Sequence, residues 1–151
     1  MYIIKKIKQY DNNCVYFCDP IKNNIIQESL FIKIFYSTSN VVFNGIYLEL
    51  PFHECYYEKY YNKYKYIFNI NNKLNQEIIS NIKNIEENIL SKYTICNKIY
   101  QNKVYEHIKC GNIKLFCDNK PNQSNKIVLK ISGIWITSNN YGLTYKFVNF
   151  D

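Results

Sequence analysis

The chain has 151 residues, a net charge of +7 and a sequence pI near 9.0, a surplus that draws polyanions. That length predicts one compact domain, residues 1–151, large enough to bury a core. No run of about 18 apolar residues exists, so no membrane-spanning helix is expected, and no Lys-faced amphipathic anchor is visible, which places nucleic acid ahead of a membrane as the expected polyanion.

Residues 1–10 alternate weakly and predict a first strand. The apolar run 15–18 is short, and Asp19-Pro20 stops it. Residues 29–36, dense in β-branched and aromatic side chains, predict a strand, with 37–40 as a turn. Residues 41–50 predict another strand, bulged at Gly45, and Pro51 ends its pairing. The segment 53–68 fits two states: Tyr56, Tyr57, Tyr60, Tyr61 and Tyr64 recur at helical spacing, whereas Tyr64, Tyr66 and Phe68 recur at strand spacing. It reads as a connection that changes from turn or helix to strand.

A 3.6-residue period then sets in. Ile78, Ile79, Ile82, Ile85, Ile89, Leu90 and Tyr93 form one stripe, predicting an amphipathic helix over 75–93 capped by Asn72 or Asn75. Residues 94–110 carry weak strand signals, 113–117 a short strand, and 118–125 a polar loop. The runs 127–136 and 141–150, on either side of a polar Asn-containing turn, predict a closing hairpin. Ile127, Leu129 and Ile131 share one face, but past Gly133 the aliphatic residues move to Ile134 and Ile136. A phase slip at a Gly is the mark of a β-bulge. Strands, one amphipathic helix and further strands predict a mainly β fold, an OB-fold-like five-stranded barrel with the helix between strands 3 and 4.

The closing hairpin holds Trp135, the one Trp of the chain, with Tyr141 and Tyr145 opposite and Lys130 and Lys146 nearby. Flat rings beside cations are what an unpaired strand requires, the rings for bases and the cations for phosphates; packing within the hairpin is the competing assignment for each ring. Ser132, Gly133, Ile134 and Trp135, followed by Tyr141, Gly142, Leu143, Thr144, Tyr145 and Lys146, resemble the terminal hairpin of single-stranded DNA-binding OB-fold proteins of large eukaryotic DNA viruses, a phage-like family. The match covers roughly residues 127–148. It implies binding of single-stranded DNA during viral replication, recombination or repair, inside an infected host cell.

A second candidate surface lies in the Tyr/Lys segment, where Tyr57, Tyr60, Tyr61 and Tyr64 with Lys59, Lys63 and Lys65 would meet further bases and phosphates. The competing assignment is a half-buried element whose tyrosines cover one end of the barrel. The chain contains neither Arg nor Ala. Ala codons and most Arg codons are GC-rich, so a strongly A+T-biased genome accounts for both absences and inflates Lys, Asn, Ile and Tyr. Without Arg there is no guanidinium fork to read guanine, which points to sequence-tolerant binding that weakens steeply with salt.

Other chemistry finds little support. The six Cys come without the pattern of an export signal, so they are expected as thiols in an intracellular protein. Cys14 with Cys18, His53 with Cys55, and His107 with Cys110 lack the Cys-x-x-Cys spacing of zinc knuckles. No acidic cluster and no Gly-rich phosphate loop is present. The expectation is therefore no enzyme, no cofactor and no metal. The partner expected is single-stranded DNA, with RNA as the alternative strand and replication proteins as further partners. The other reading is a small viral protein-interaction or replication-accessory module without nucleic-acid affinity, since aromatic patches also serve protein interfaces.

Overall fold

The computed structural model of the chain describes residues 4–25, 28–95, 97–115, 117, 119–122 and 126–150. In chain order the strands and helices are β1 (Val15–Phe17), β2 (Ile21–Lys22), β3 (Leu30–Ser37), β4 (Val42–Asn44), β5 (Ile46–Glu49), β6 (Cys55–Tyr60), β7 (Lys63–Phe68), α1 (Lys73–Lys92), β8 (Ile99–Gln101), α2 (Lys103–Ile108), β9 (Asn112–Leu115), β10 (Lys126–Ile136) and β11 (Asn140–Phe150). The fold is mainly β with one principal helix, as the sequence predicts. Eight strands form a sheet that curls into a half-barrel, and β6, β7 and β9 form a smaller antiparallel sheet.

The spine of the large sheet is β10. Along one edge it pairs with β11 over its whole length. Along the other, Val128–Ile131 pair with β5 and Gly133–Ile136 pair with β3. The register shifts between Ile131 and Gly133, leaving Ser132 as the extra residue of a bulge. The aliphatic side chains of β10 face the core on both sides of that slip, because the bulge rotates the strand by one position where the pattern does.

Gly45 serves the same junction. It separates β4, which pairs with β3, from β5, which pairs with β10. Its φ of 94° lies in the region Gly enters freely, and a Cβ there would stand 2.9 Å from the Ile131 carbonyl oxygen. The predicted single strand over 41–50 is thus two strands. The undecided segment 53–68 is a hairpin of its own, with Tyr61 and Asn62 as its two-residue turn. With these two differences and the short unpredicted strands β2 and β8, the described residues hold eleven strands against the five expected, and the helix lies between β7 and β8.

Helix α1 starts at Asn72, whose side chain accepts from the backbone N–H of Leu74 and Asn75 at 2.9 and 3.2 Å. Its stripe Ile78, Ile79, Ile82, Ile85, Ile89 and Leu90 is buried, each such side chain stabilising the fold by about 1.5–3 kcal/mol. Two polar residues share that stripe. Asn75 is satisfied by the His53 N–H, the His53 carbonyl and the Asn69 carbonyl. Glu86 accepts the N–H groups of Val104 and Tyr105 at 2.9 and 3.0 Å, supplying from α1 the acceptors that the first turn of α2 lacks. Residues 94–110, read as weak strand, thus contain α2. One cluster of buried side chains joins both sheets and both helices.

Residues 1–10 form no strand where they are described. Lys5 bridges to Leu48 in parallel, and Ile7–Gln9 make one 3-10 turn. Residues 1–3, Cys96 and part of the 118–125 loop lie outside the described residues.

Candidate nucleic-acid interface

Alternation assigns each strand residue of the large sheet to one of two faces. On β3, Ile32, Ile34 and Tyr36 are buried, while Phe31, Lys33 and Phe35 are half-exposed on the other face. Register carries that outer face across the sheet. Trp135 lies between Phe31 and Gly142, Gly133 between Lys33 and Thr144, and Lys130 between Tyr47 and Lys146. On the far side, Tyr16 pairs with Phe35 and is 56% exposed.

The bulge at Ser132 decides this grouping. Lys130 and Trp135 are five positions apart, an odd number that would set them on opposite faces of a regular strand. With one residue looped out they share the outer face, together with Lys146.

Two glycines form the floor beneath the rings. A Cβ at Gly133 would stand 2.6 Å from Cε2 and Cζ of Phe31, and one at Gly142 would stand 2.8 Å from Cζ2 of Trp135. Both rings therefore lie down along the sheet. Both residues are half-exposed.

Charge on this face is one-sided. Lys33 sits 5.3 Å from the Phe35 ring centre and Lys130 sits 5.5 Å from that of Tyr47, within reach of cation–π attraction. Glu49 is the one carboxylate at an outer position among the described residues of the large sheet, and Lys126 lies 3.8 Å from it. Val128, also at an outer position, is 0% exposed, so the open stretch runs from Lys130 to Trp135. A groove of about 300 Å³ over Phe31 continues it, walled by Ile21, Lys22, Ile25 and Thr144.

The sequence-predicted residues divide accordingly. Trp135, Lys130 and Lys146 are brought together on the outer face. Tyr141 is not: it stands on the core side of β11, 3% exposed, edge-on to Tyr100, and no base can reach its ring. Tyr145 is also on the core side. Its hydroxyl donates to the Lys103 carbonyl and contacts His107 Nδ1, both at 3.2 Å, and burial pushes it up to about 12. In the smaller sheet Tyr57 is buried against Tyr66 at 5.1 Å, so it too is removed from the contact set. Lys59 is exposed, but on the opposite face of the hairpin from Tyr60. Tyr60, Tyr61 and Lys63 remain, gathered at the hairpin turn.

Sequence reading missed Phe31, Lys33, Phe35, Tyr16 and Tyr47. Their signal was the alternation inside 29–36, where the residues between the aliphatic ones are rings and a Lys. Nothing local, however, pairs that strand with one about 100 residues later.

Among the described residues no three His, Cys, Asp or Glu side chains converge, and no helix is long and apolar enough to cross a membrane. Compared with protein-family models, curated proteins and solved structures, the chain matches none.

Proposed function

We propose that this chain binds single-stranded nucleic acid with little sequence preference, single-stranded DNA first, in the replication, recombination or repair of a viral genome. The observation that supports the reading is the outer face of the large sheet, where Trp135 and Phe31 lie over glycines and Lys33, Lys130 and Lys146 share the face. Stacking on rings of this kind is worth about 1–3 kcal/mol per base and tolerates any sequence, because every base has a π-face. Lysines supply the phosphate contacts without reading base edges. The viral setting comes from the resemblance of the closing hairpin.

The test is quenching of Trp135 fluorescence by oligo-dT and oligo-rU at two salt concentrations. Expected are quenching that saturates, affinity that collapses as salt rises, and a roughly tenfold or greater loss in Trp135→Ala with the fold intact, that variant being followed by fluorescence anisotropy of a labelled oligonucleotide. Unaltered oligonucleotide binding by Trp135→Ala would reduce the indole to packing. Absence of any binding at low salt would overturn the reading and leave the face to a protein partner.

A further inference from the structure

Two pairs of lysines stand directly opposite each other on neighbouring strands. Lys130 faces Lys146 across β10 and β11, and Lys65 faces Lys114 across β7 and β9. Like charges in register destabilise a sheet. Neither pair is neutralised: among the described residues none of the four lies within ion-pairing distance of a carboxylate. Glu58, in register with Lys65 on its other side, does not close on it. Lys65 and Lys114 instead crowd one ring, 4.1 and 5.0 Å from the centre of Tyr60.

One lysine of each pair lines a single cleft. It has a volume of about 540 Å³ and lies where α2 and β9 meet the outer half of β11, with Lys114 and Lys146 among its lining residues. That volume is within the range of small-molecule sites. Its interior is aromatic: His107 meets Phe147 edge-on at 5.0 Å and Tyr145 at 6.1 Å. Burial and the Lys114 ammonium both hold His107 below its ordinary 6.5, so at neutral pH the imidazole carries no charge. The cleft is thus aromatic within, with Lys114 of β9 and Lys146 of β11 in its lining.

We infer that this cleft receives one nucleotide of a bound strand, its base against Phe147, with the phosphates on either side held by the Lys65/Lys114 and Lys130/Lys146 pairs. The inference rests on the single-strand reading above and extends it, because Lys130 and Lys146 also border the face that holds Trp135. A strand leaving that face across the cleft would reach the Tyr60–Tyr61 turn. An unneutralised lysine pair that weakens the free sheet is accounted for by a ligand that brings phosphate.

The experiment is oligo-dT titration over a series of salt concentrations, with wild type, Lys65→Gln/Lys114→Gln and Trp135→Ala compared by anisotropy. For single strands each phosphate contact adds about 0.7 to the magnitude of the log–log salt slope. The double-lysine variant should therefore lose about 1.4 of that slope while its melting temperature rises. Trp135→Ala should lose affinity with its slope unchanged. If the double variant keeps the wild-type slope, the cleft inference fails and the sheet-face reading stands. If wild type binds no oligonucleotide at low salt, the underlying reading fails as well. Thymidine 5′-monophosphate added to ¹⁵N-labelled chain locates the base independently. Shifts at His107, Lys114 and Phe147 support the cleft, and shifts confined to Phe31 and Trp135 overturn it.

Discussion

Trp135 lies across Gly142 on the neighbouring strand, so close that a Cβ on that glycine would stand 2.8 Å from Cζ2 and 3.0 Å from Cε2 of the indole. The same Cβ would stand 3.1 Å from the Gln101 carbonyl oxygen, a backbone atom that cannot swing away. Gly142→Ala must therefore lift the indole off the sheet. Overpacking of this kind costs about 1–3 kcal/mol. Expected are a lower melting temperature, Trp emission shifted to longer wavelength, and oligo-dT affinity reduced about as far as in Trp135→Ala. Unshifted emission would mean that the indole was already standing free.

The two faces of the large sheet separate the rings proposed to stack on bases there from Tyr141, which packs in the core. Phe31 is in register with Trp135 on the outer face, whereas Tyr141 is buried on the inner one. Phe31→Ala should weaken oligo-dT binding by roughly tenfold, the loss of one stacked base at about 1–3 kcal/mol. Tyr141→Phe should leave binding untouched. It removes a hydroxyl that burial pushes up in pKa and that is hydrogen-bonded to the backbone at Ile95, so its cost of about 1 kcal/mol should appear in urea denaturation alone. Anisotropy titrations beside denaturation curves check both halves.

The α1 stripe and the closing hairpin, bulge included, were legible because period and phase are local. Even the inward turn of Tyr141 was available, since it alternates with buried Leu143. The segment 53–68 was not legible: its tyrosines satisfy both periods, and only pairing of Tyr66 with Ile113 on β9 settles it as strand. The six residues of α2 are too few to show a period, and the acceptor for its first turn, Glu86, comes from another helix. The outer face escaped for a similar reason. Tyr16, Phe31, Tyr47 and Trp135 come from four strands, and pairings at long sequence separation leave no local trace.

Glu86 ties α1 to α2 through two different oxygens, Oε2 to the Val104 N–H and Oε1 to the Tyr105 N–H. Glu86→Gln keeps the shape but turns an NH₂ toward one of those donors, leaving it unmet at a cost of about 1–3 kcal/mol. Burial raises the Glu86 pKa above its ordinary 4.5, Glu87 and Glu106 adding to the rise and the two N–H bonds opposing it. The folded state therefore holds this proton more tightly than the unfolded state. The contribution of Glu86 to stability is fully present below about pH 4.5 and declines as pH rises through the folded value. The stability gap between wild type and Glu86→Gln should accordingly be widest in acid and narrow toward neutrality. Urea midpoints collected from pH 4 to 8 measure it, and a gap that widens with pH would contradict the assignment.

Tyr61 is 82% exposed and takes φ 52° at the tip of the β6–β7 turn. A left-handed backbone costs a non-Gly residue about 1–2 kcal/mol, and a bulky ring in water gains little to offset it. What the ring does meet is Tyr60, edge-on at 4.6 Å, beneath which Lys65 and Lys114 converge. Under the proposed strand binding, that strain is offset by a base meeting the Tyr61 ring. Tyr61→Gly should therefore raise stability by about 1 kcal/mol in urea denaturation while lowering oligo-dT affinity severalfold. Gain in stability with unchanged affinity would confine the strand to the large sheet, and a loss of stability would show that the ring supports the hairpin after all.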